Sequence, residues 1–189
     1  MNEDIEETKD SKILLIEPVE YNLKELKERT NKNPNIIIEE IAISDKNEIA
    51  PFYYVKRSSM ERLKKHWSSG IGSFNKDHLL NHRSKNFKIL EEDIESFDVK
   101  CLSFSSLIKK YSITSIGKLL IDVEGAESKI MNSINFKEVL IENIIFEKKH
   151  FDGPFKTGPK LEKVKSILIE NNYELLDLDK ENILAKKVK

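Results

Sequence analysis

"KLLIDVEGAESKI", residues 118–130, decides how the rest of the chain is read. An apolar run ends abruptly at Ile121, and three carboxylates follow within six residues: Asp122, Glu124 and Glu127. Gly125 sits between them. A short apolar run closed by a glycine turn, then Ala126, Ile130 and Met131 near helical spacing, reads as a strand becoming a helix.

Working outward, the same alternation recurs. Ile13–Ile16 in "KILLIEP" reads as a buried strand ended by Pro18, and residues 19–31 as a helix with Leu23 and Leu26 on one face. "IIIEEIAI" (36–43) is β-branched and reads as one second strand, and "APFYYV" as a third, more exposed one. Residues 56–86 are the least regular part, and 87–102 suggest extended structure. "SFSSLIKKYSI" is a helix with a serine cap, "ENIIFEKK" a buried strand, and residues 160–171 an amphipathic helix. "YELLDLDKENILAKKV" closes as an antiparallel hairpin. Strands alternating with helices imply an α/β fold with a mostly parallel sheet and this hairpin at one edge. Residues 1–11 carry no apolar periodicity and are expected to form a flexible leader, with one domain over 12–189.

Bulk properties narrow the function. A formal charge of −1 lacks the basic footprint of a nucleic-acid binder, so none is expected as a partner. The sole cysteine, Cys101, permits no intrachain disulfide and fits a reducing compartment. The acidic start "MNEDIEETKDSK" is no signal peptide, and no apolar run reaches the roughly 20 residues of a membrane span. A cytoplasmic location is the default.

In open α/β sheets, ligands bind beyond the carboxyl ends of strands. Three such ends carry polar groups: Glu17, the Ser44–Asp45 pair, and Asp122 with Glu124. Carboxylates there can accept two hydrogen bonds from a ribose, which suits a nucleoside-type cofactor.

"IEPVEYNLKEL", "EIAISDKNE", "GIGSF" and above all "LLIDVEGAESKIM" resemble the FkbM family of S-adenosylmethionine-dependent methyltransferases, in order and approximate spacing over residues 13–150. The resemblance implies a Rossmann-like class I methyltransferase fold. It assigns the cofactor ribose to Glu17, the adenine surroundings to Ala42, Ile43 and Ser44, and the transfer cleft to Asp122 and Glu124, with Asp122 also at the cofactor. The implied acceptor is a hydroxyl of a sugar, polysaccharide or small metabolite, whose proton needs an acceptor group. His150, with Glu147 as companion, is a candidate base, although Lys148 stands where many relatives have the histidine.

One departure matters. Such folds carry a glycine-rich loop after their first strand, and this chain has no glycine before Gly70. The first β-α unit is therefore expected to be missing. The sheet would then close up, take a strand from the leader, or take one from a partner chain or second copy; an upstream gene start would also explain it. The alternative to an enzyme is a truncated or degenerate homologue serving as a binding module.

Blander readings stand beside these. Glu127 is a first-turn stabiliser at a helix start. Ser73 in "GIGSF" either shapes a substrate mouth or belongs to an ordinary flexible loop. His66, His78 and His82 are read as surface histidines, and no metal is expected. Trp67 beside His66 and Lys65 either stacks on a substrate ring or is a single loop tryptophan, and "ERLKKHW" is a solvated helix face.

Overall fold

The computed structural model describes residues 11–64, 70–84 and 87–188. The chain divides into two compact units, 1–42 and 43–189. Lys65, His66, Trp67 and nearly all of the expected leader lie outside the described residues.

The first unit is a single β-α-β crossover. Strand β1 (Ile13–Ile16) and strand β2 (Ile36–Glu39) pair in parallel, Ile13 opposite Ile36 and Ile16 opposite Glu39. Between them helix α1 (Glu20–Thr30) buries Leu23 and turns its Lys/Glu face outward, as the apolar spacing requires. The anticipated single strand over 36–43 is interrupted after Glu39, and the chain resumes as β3 (Ala42–Ser44) in another sheet. A β-branched run shows that a segment is extended but not that it keeps one partner throughout.

The second unit holds two four-stranded sheets. One has the order β3, β8 (Ile94–Ser103), β4 (Glu48–Val55), β5 (Gly72–Ser73). β4 runs antiparallel to β8 over its whole length, Glu48 opposite Cys101 and Val55 opposite Ile94, and antiparallel to β5. Gly72 permits that last pairing to be close, because a Cβ there would lie 2.6 Å from the Phe52 ring. A short ladder, β6 (Arg83–Ser84) with β7 (Phe87–Lys88), and helices α2 (Met60–Leu63) and α3 (Lys76–Leu80) flank this sheet. Val55, Leu63, Ile71, Leu79, Phe87 and Ile89 form a second, smaller core here.

The other sheet has the order β11 (Tyr173–Asp177), β12 (Asn182–Lys187), β10 (Leu140–Glu147), β9 (Ser115–Ile121). β9 and β10 are parallel, Ile121 opposite Phe146; β12 is antiparallel to both β10 and β11. The closing hairpin therefore has the expected sense. Helices α4 (Phe104–Lys110), α5 (Glu127–Ser133) and α6 (Pro159–Glu170) pack Ile108, Ile130, Met131, Val164 and Leu168 against Phe146, Ile144 and Ile141, all buried. The Ser103 hydroxyl caps α4 by accepting from Ser106 N–H. Tyr173 donates its hydroxyl proton to the Ile141 carbonyl at 2.6 Å, which pays the polar cost of burying it.

The α/β class holds, but a mostly parallel sheet does not describe these ladders, which are mixed. The reason lies in the β4 and β8 sequences. Each buries only part of its surface, the pattern of antiparallel strands with one solvated face. No helix of the described residues is long and apolar enough to cross a membrane.

Candidate functional site

β9 ends at buried Ile121, and the chain turns through Asp122–Ala126 before α5 begins. Glu124 and Gly125 both adopt positive φ, +50° and +98°. Glycine tolerates this, whereas a glutamate there is strained by about 1–2 kcal/mol. Three contacts hold the turn. The Glu127 carboxylate accepts from Val123 N–H (3.1 Å) and Gly125 N–H (3.0 Å). Ser73 Oγ–H donates to the Glu124 carbonyl at 2.9 Å. Ser73 is thus a buried strut under the turn, and Glu127 is a fully buried clamp. Burial lifts the Glu127 carboxyl to about 7 despite hydrogen bonds from its own N–H and from Val123 N–H.

The turn aims the Glu124 carboxylate at three imidazoles. Its Oε2 lies 2.9 Å from His78 Nε2, 3.7 Å from His82 Nε2 and 3.8 Å from His150 Nε2. The three rings lie 4.6–5.1 Å apart between centroids. Their side chains are at most 7 % exposed, against 18 % for Glu124, so the cluster opens to solvent at its carboxylate rather than at a histidine. Burial opposes ionisation of Glu124, but the His78 hydrogen bond and the surrounding imidazoles bring its carboxyl below the usual range. Gly125 is also the close neighbour of this cluster: a Cβ would stand 3.3 Å from His78 Nδ1.

Hydrogen bonds to the far nitrogens set the tautomers. His82 Nδ1–H donates to the His78 carbonyl at 2.9 Å, which makes Nε2 the basic nitrogen of the neutral ring. His150 is the reverse. Its Nδ1 accepts from Phe155 N–H at 3.1 Å, so the neutral ring carries its proton on Nε2. Burial pushes His150 down to about 4 and also lowers His82. The Phe155 ring, itself 57 % exposed, covers both imidazoles at 4.7 and 5.3 Å.

Beside this lies a second group. Asp122, Glu127 and Glu147 bring carboxylate oxygens within 4.8 Å of one another. Asp122 meets solvent, yet the crowding protein first and the Glu124 charge second raise its carboxyl. Glu147, at the end of β10, pairs through Oε1 with Lys149 at 2.8 Å. Burial raises its carboxyl to about 7 even so. Its other oxygen, Oε2, and His150 Nε2 are buried without a hydrogen-bond partner among the described residues and stand 4.0 Å apart. Lys149 and Phe155 also line a groove of about 550 Å³ with Leu161, Lys165 and Glu181.

Of the residues singled out from sequence, the fold brings Glu124 and His150 together and places Asp122 beside Glu147. Ser44 is buried and donates its hydroxyl to Asp45 at 3.0 Å, while Ile43 packs on the main core. In the first unit, Glu17 is half-buried. Its Oε1 accepts from Val19 N–H at 2.8 Å, ahead of α1; burial outweighs that bond and the one from Asn22, and its carboxyl lies above the usual range. Ala42 is buried.

His78 and His82 correct the reading of surface histidines: they are 3 % and 6 % exposed. The available signal was their four-residue separation in "DHLLNH" (77–82), which puts two side chains on one helical face. The sequence spacing of the histidines as a group does not show that His78, His82, Glu124 and His150 each bring a nitrogen or carboxylate oxygen within 4.8 Å of the others.

A family model described as Methyltransferase FkbM domain matches residues 4–175. No curated protein and no solved structure matches the chain.

Proposed function

The chain belongs to the FkbM methyltransferase domain family, and on that premise we propose that it transfers a methyl group from S-adenosylmethionine to a hydroxyl of a sugar, polysaccharide or other small metabolite. One observation carries the chemistry. His150 Nε2 is a buried donor and Glu147 Oε2 a buried acceptor, neither has a hydrogen-bond partner among the described residues, and they stand 4.0 Å apart. An oxygen seated between them at ordinary hydrogen-bond distances of about 2.8 Å would satisfy both. A hydroxyl is the group that can accept from one and donate to the other.

The roles follow. His150 Nε2–H holds the acceptor oxygen with its lone pair exposed. Glu147, with a carboxyl near 7, takes the hydroxyl proton at neutral pH, where a general base is most effective. This moves the base role from His150 to its companion. Lys149 balances the Glu147 charge, and the groove beside it joins the flat Phe155 ring to lysine and carboxylate side chains, a surface suited to a polyhydroxylated acceptor.

The cofactor's donor set is of the right chemistry. The Glu17 carboxylate is already oriented by Val19 N–H and Asn22 and retains acceptor capacity for a ribose diol. Ala42, Ile43 and Ser44 are assigned to the adenine and Asp122 to the cofactor's polar end. When bound, S-adenosylmethionine would supply a sulfonium methyl, leaving a neutral thioether as the O–CH3 bond forms.

The test is calorimetry of the full chain with S-adenosylmethionine, followed by transfer of labelled methyl to a panel of saccharides. Glu147→Gln should keep cofactor binding and lose transfer by at least about 100-fold. Cofactor binding with unchanged transfer in that variant would exclude Glu147 as the base. Absence of cofactor binding would favour the second reading, a homologue that binds a partner without catalysis.

A further inference from the structure

We propose that His78, His82 and Glu124 form a binding site for one divalent transition ion, Zn²⁺ being the ion whose chemistry fits best. The inference needs none of the cofactor assignments; its zinc-bound water takes the position between His150 Nε2 and Glu147 Oε2 that the acceptor hydroxyl would fill during methyl transfer, so the two occupants exclude each other there.

The donor set is two imidazole nitrogens and one carboxylate oxygen, a combination that favours zinc and its transition-metal neighbours over magnesium or calcium. Donors about 2.0–2.1 Å from a tetrahedral ion lie about 3.3–3.4 Å from each other. Here Glu124 Oε2 stands 2.9 Å from His78 Nε2 and 3.7 Å from His82 Nε2, within a few tenths of an ångström of that spacing. Zinc would replace the proton now shared between His78 and Glu124. His82 already has the tautomer a ligand needs. Its Nδ1–H is engaged by the His78 carbonyl, the outer-shell contact that orients a metal-bound imidazole.

His150 is excluded as a ligand by the same logic, since Phe155 N–H occupies its Nδ1 and leaves the proton on Nε2. It instead faces the position that three ligands leave open. Its unpartnered Nε2–H, 3.8 Å from Glu124 Oε2, can donate to a water on the ion. That water can donate in turn to the unpartnered Glu147 Oε2. One ion with one water therefore accounts for both orphaned atoms. It also supplies a full positive charge for Glu124, whose ion-pair partners among the described residues are all imidazoles.

The turn is built for such a load. Glu124 is held in a strained backbone conformation by Ser73 and Glu127, so its carboxylate is positioned before any ion arrives. Fixing ligands in advance is what a metal site requires of its supporting residues.

The test uses the full chain carrying a histidine-free tag, stripped with chelator and titrated with Zn²⁺ and Co²⁺. One ion per chain is expected, with visible absorption bands from the Co²⁺ form and thermal stabilisation by Zn²⁺ but not by Mg²⁺. His82→Gln should weaken Zn²⁺ binding by at least about 10–100-fold, the loss seen when even an outer-shell partner of a metal ligand is removed. X-ray absorption on the unmodified chain should show two imidazoles in the zinc shell, a measurement that does not depend on any variant folding. Absence of zinc binding, wild-type affinity in a cooperatively unfolding His78→Gln/His82→Gln double variant, or a shell with any other number of imidazoles would overturn the proposal.

Discussion

Two strand ends carry a carboxylate at a turn, Glu17 after β1 and Glu124 after β9, and they are held in opposite ways. Glu17 is fastened by its immediate neighbours, Val19 N–H and Asn22. Glu124 is fastened by residues 46 and 51 positions away, His78 and Ser73, and lies within 3.8 Å of His150 from a different strand end. The first arrangement costs little ordering beyond the helix that it precedes. The second exists only when β5, α3 and the segment after β10 have all docked. A local carboxylate can wait for a ligand in any state of the chain; the long-range one is a product of folding, and its chemistry should be lost with it.

The strongest way to break this contrast is Glu127→Ala. It removes the acceptor of two N–H groups in the turn, and stranding each costs about 1–3 kcal/mol, for a total of about 2–6 kcal/mol. Urea unfolding would report it, with the zinc affinity falling in parallel.

Next comes a pH test, in which two neighbours act with opposite sign. The folded-state carboxyl of Glu147 is raised from 4.5 to about 7. Its contribution is therefore full below pH 4.5 and is lost as pH rises through 7. His150 is lowered from 6.5 to about 4, so the unfolded chain takes up its proton first and stability declines as pH falls from 6.5 towards 4. Relative to wild type, metal-free Glu147→Gln should gain up to about 3 kcal/mol between pH 4.5 and 7. His150→Gln should gain relative to wild type on the acid side instead. Denaturant titrations across that range would show two difference curves of opposite slope; parallel curves would refute the assigned burial.

Gly125→Ala is expected to cost about 1–3 kcal/mol, because alanine at φ +98° is strained and its Cβ would press on His78. Thermal unfolding measures this, and no comparable penalty attends the Glu17 end, where the described backbone has no positive φ.

The same division separates what was legible in the sequence from what was not. The β1-α1-β2 crossover, the strand-turn-helix at 118–130 and the closing hairpin follow from apolar spacing and turn residues, which are local signals. Glu127 as a helix-start residue and Gly125 as the turn were legible for the same reason. The split of 36–43 into β2 and β3 was not, since Ile36–Ile43 is uniformly strand-forming and only the choice of partner divides it. The burial of His78 and His82 was hidden because α3 is a single short turn in a polar stretch, covered from afar by Phe155 and His150. Their four-residue spacing was present, but what gives it meaning is Glu124, dozens of residues later.

The smallest expected effect sharpens the comparison most. Glu17→Ala removes one hydrogen-bond acceptor from Val19 N–H, worth about 0.5–1.5 kcal/mol. Glu17→Gln keeps an acceptor oxygen for that bond but loses the charge that would bind a ribose diol most strongly. The glutamine variant should therefore unfold like wild type and retain its zinc affinity, yet bind S-adenosylmethionine about tenfold more weakly, about 1.4 kcal/mol. Equal cofactor affinity in wild type and Glu17→Gln, measured by calorimetry, would reduce Glu17 to the helix-entry residue that its local contacts already explain. A loss of affinity with stability intact would show that a carboxylate fastened only by its neighbours is enough to hold a cofactor.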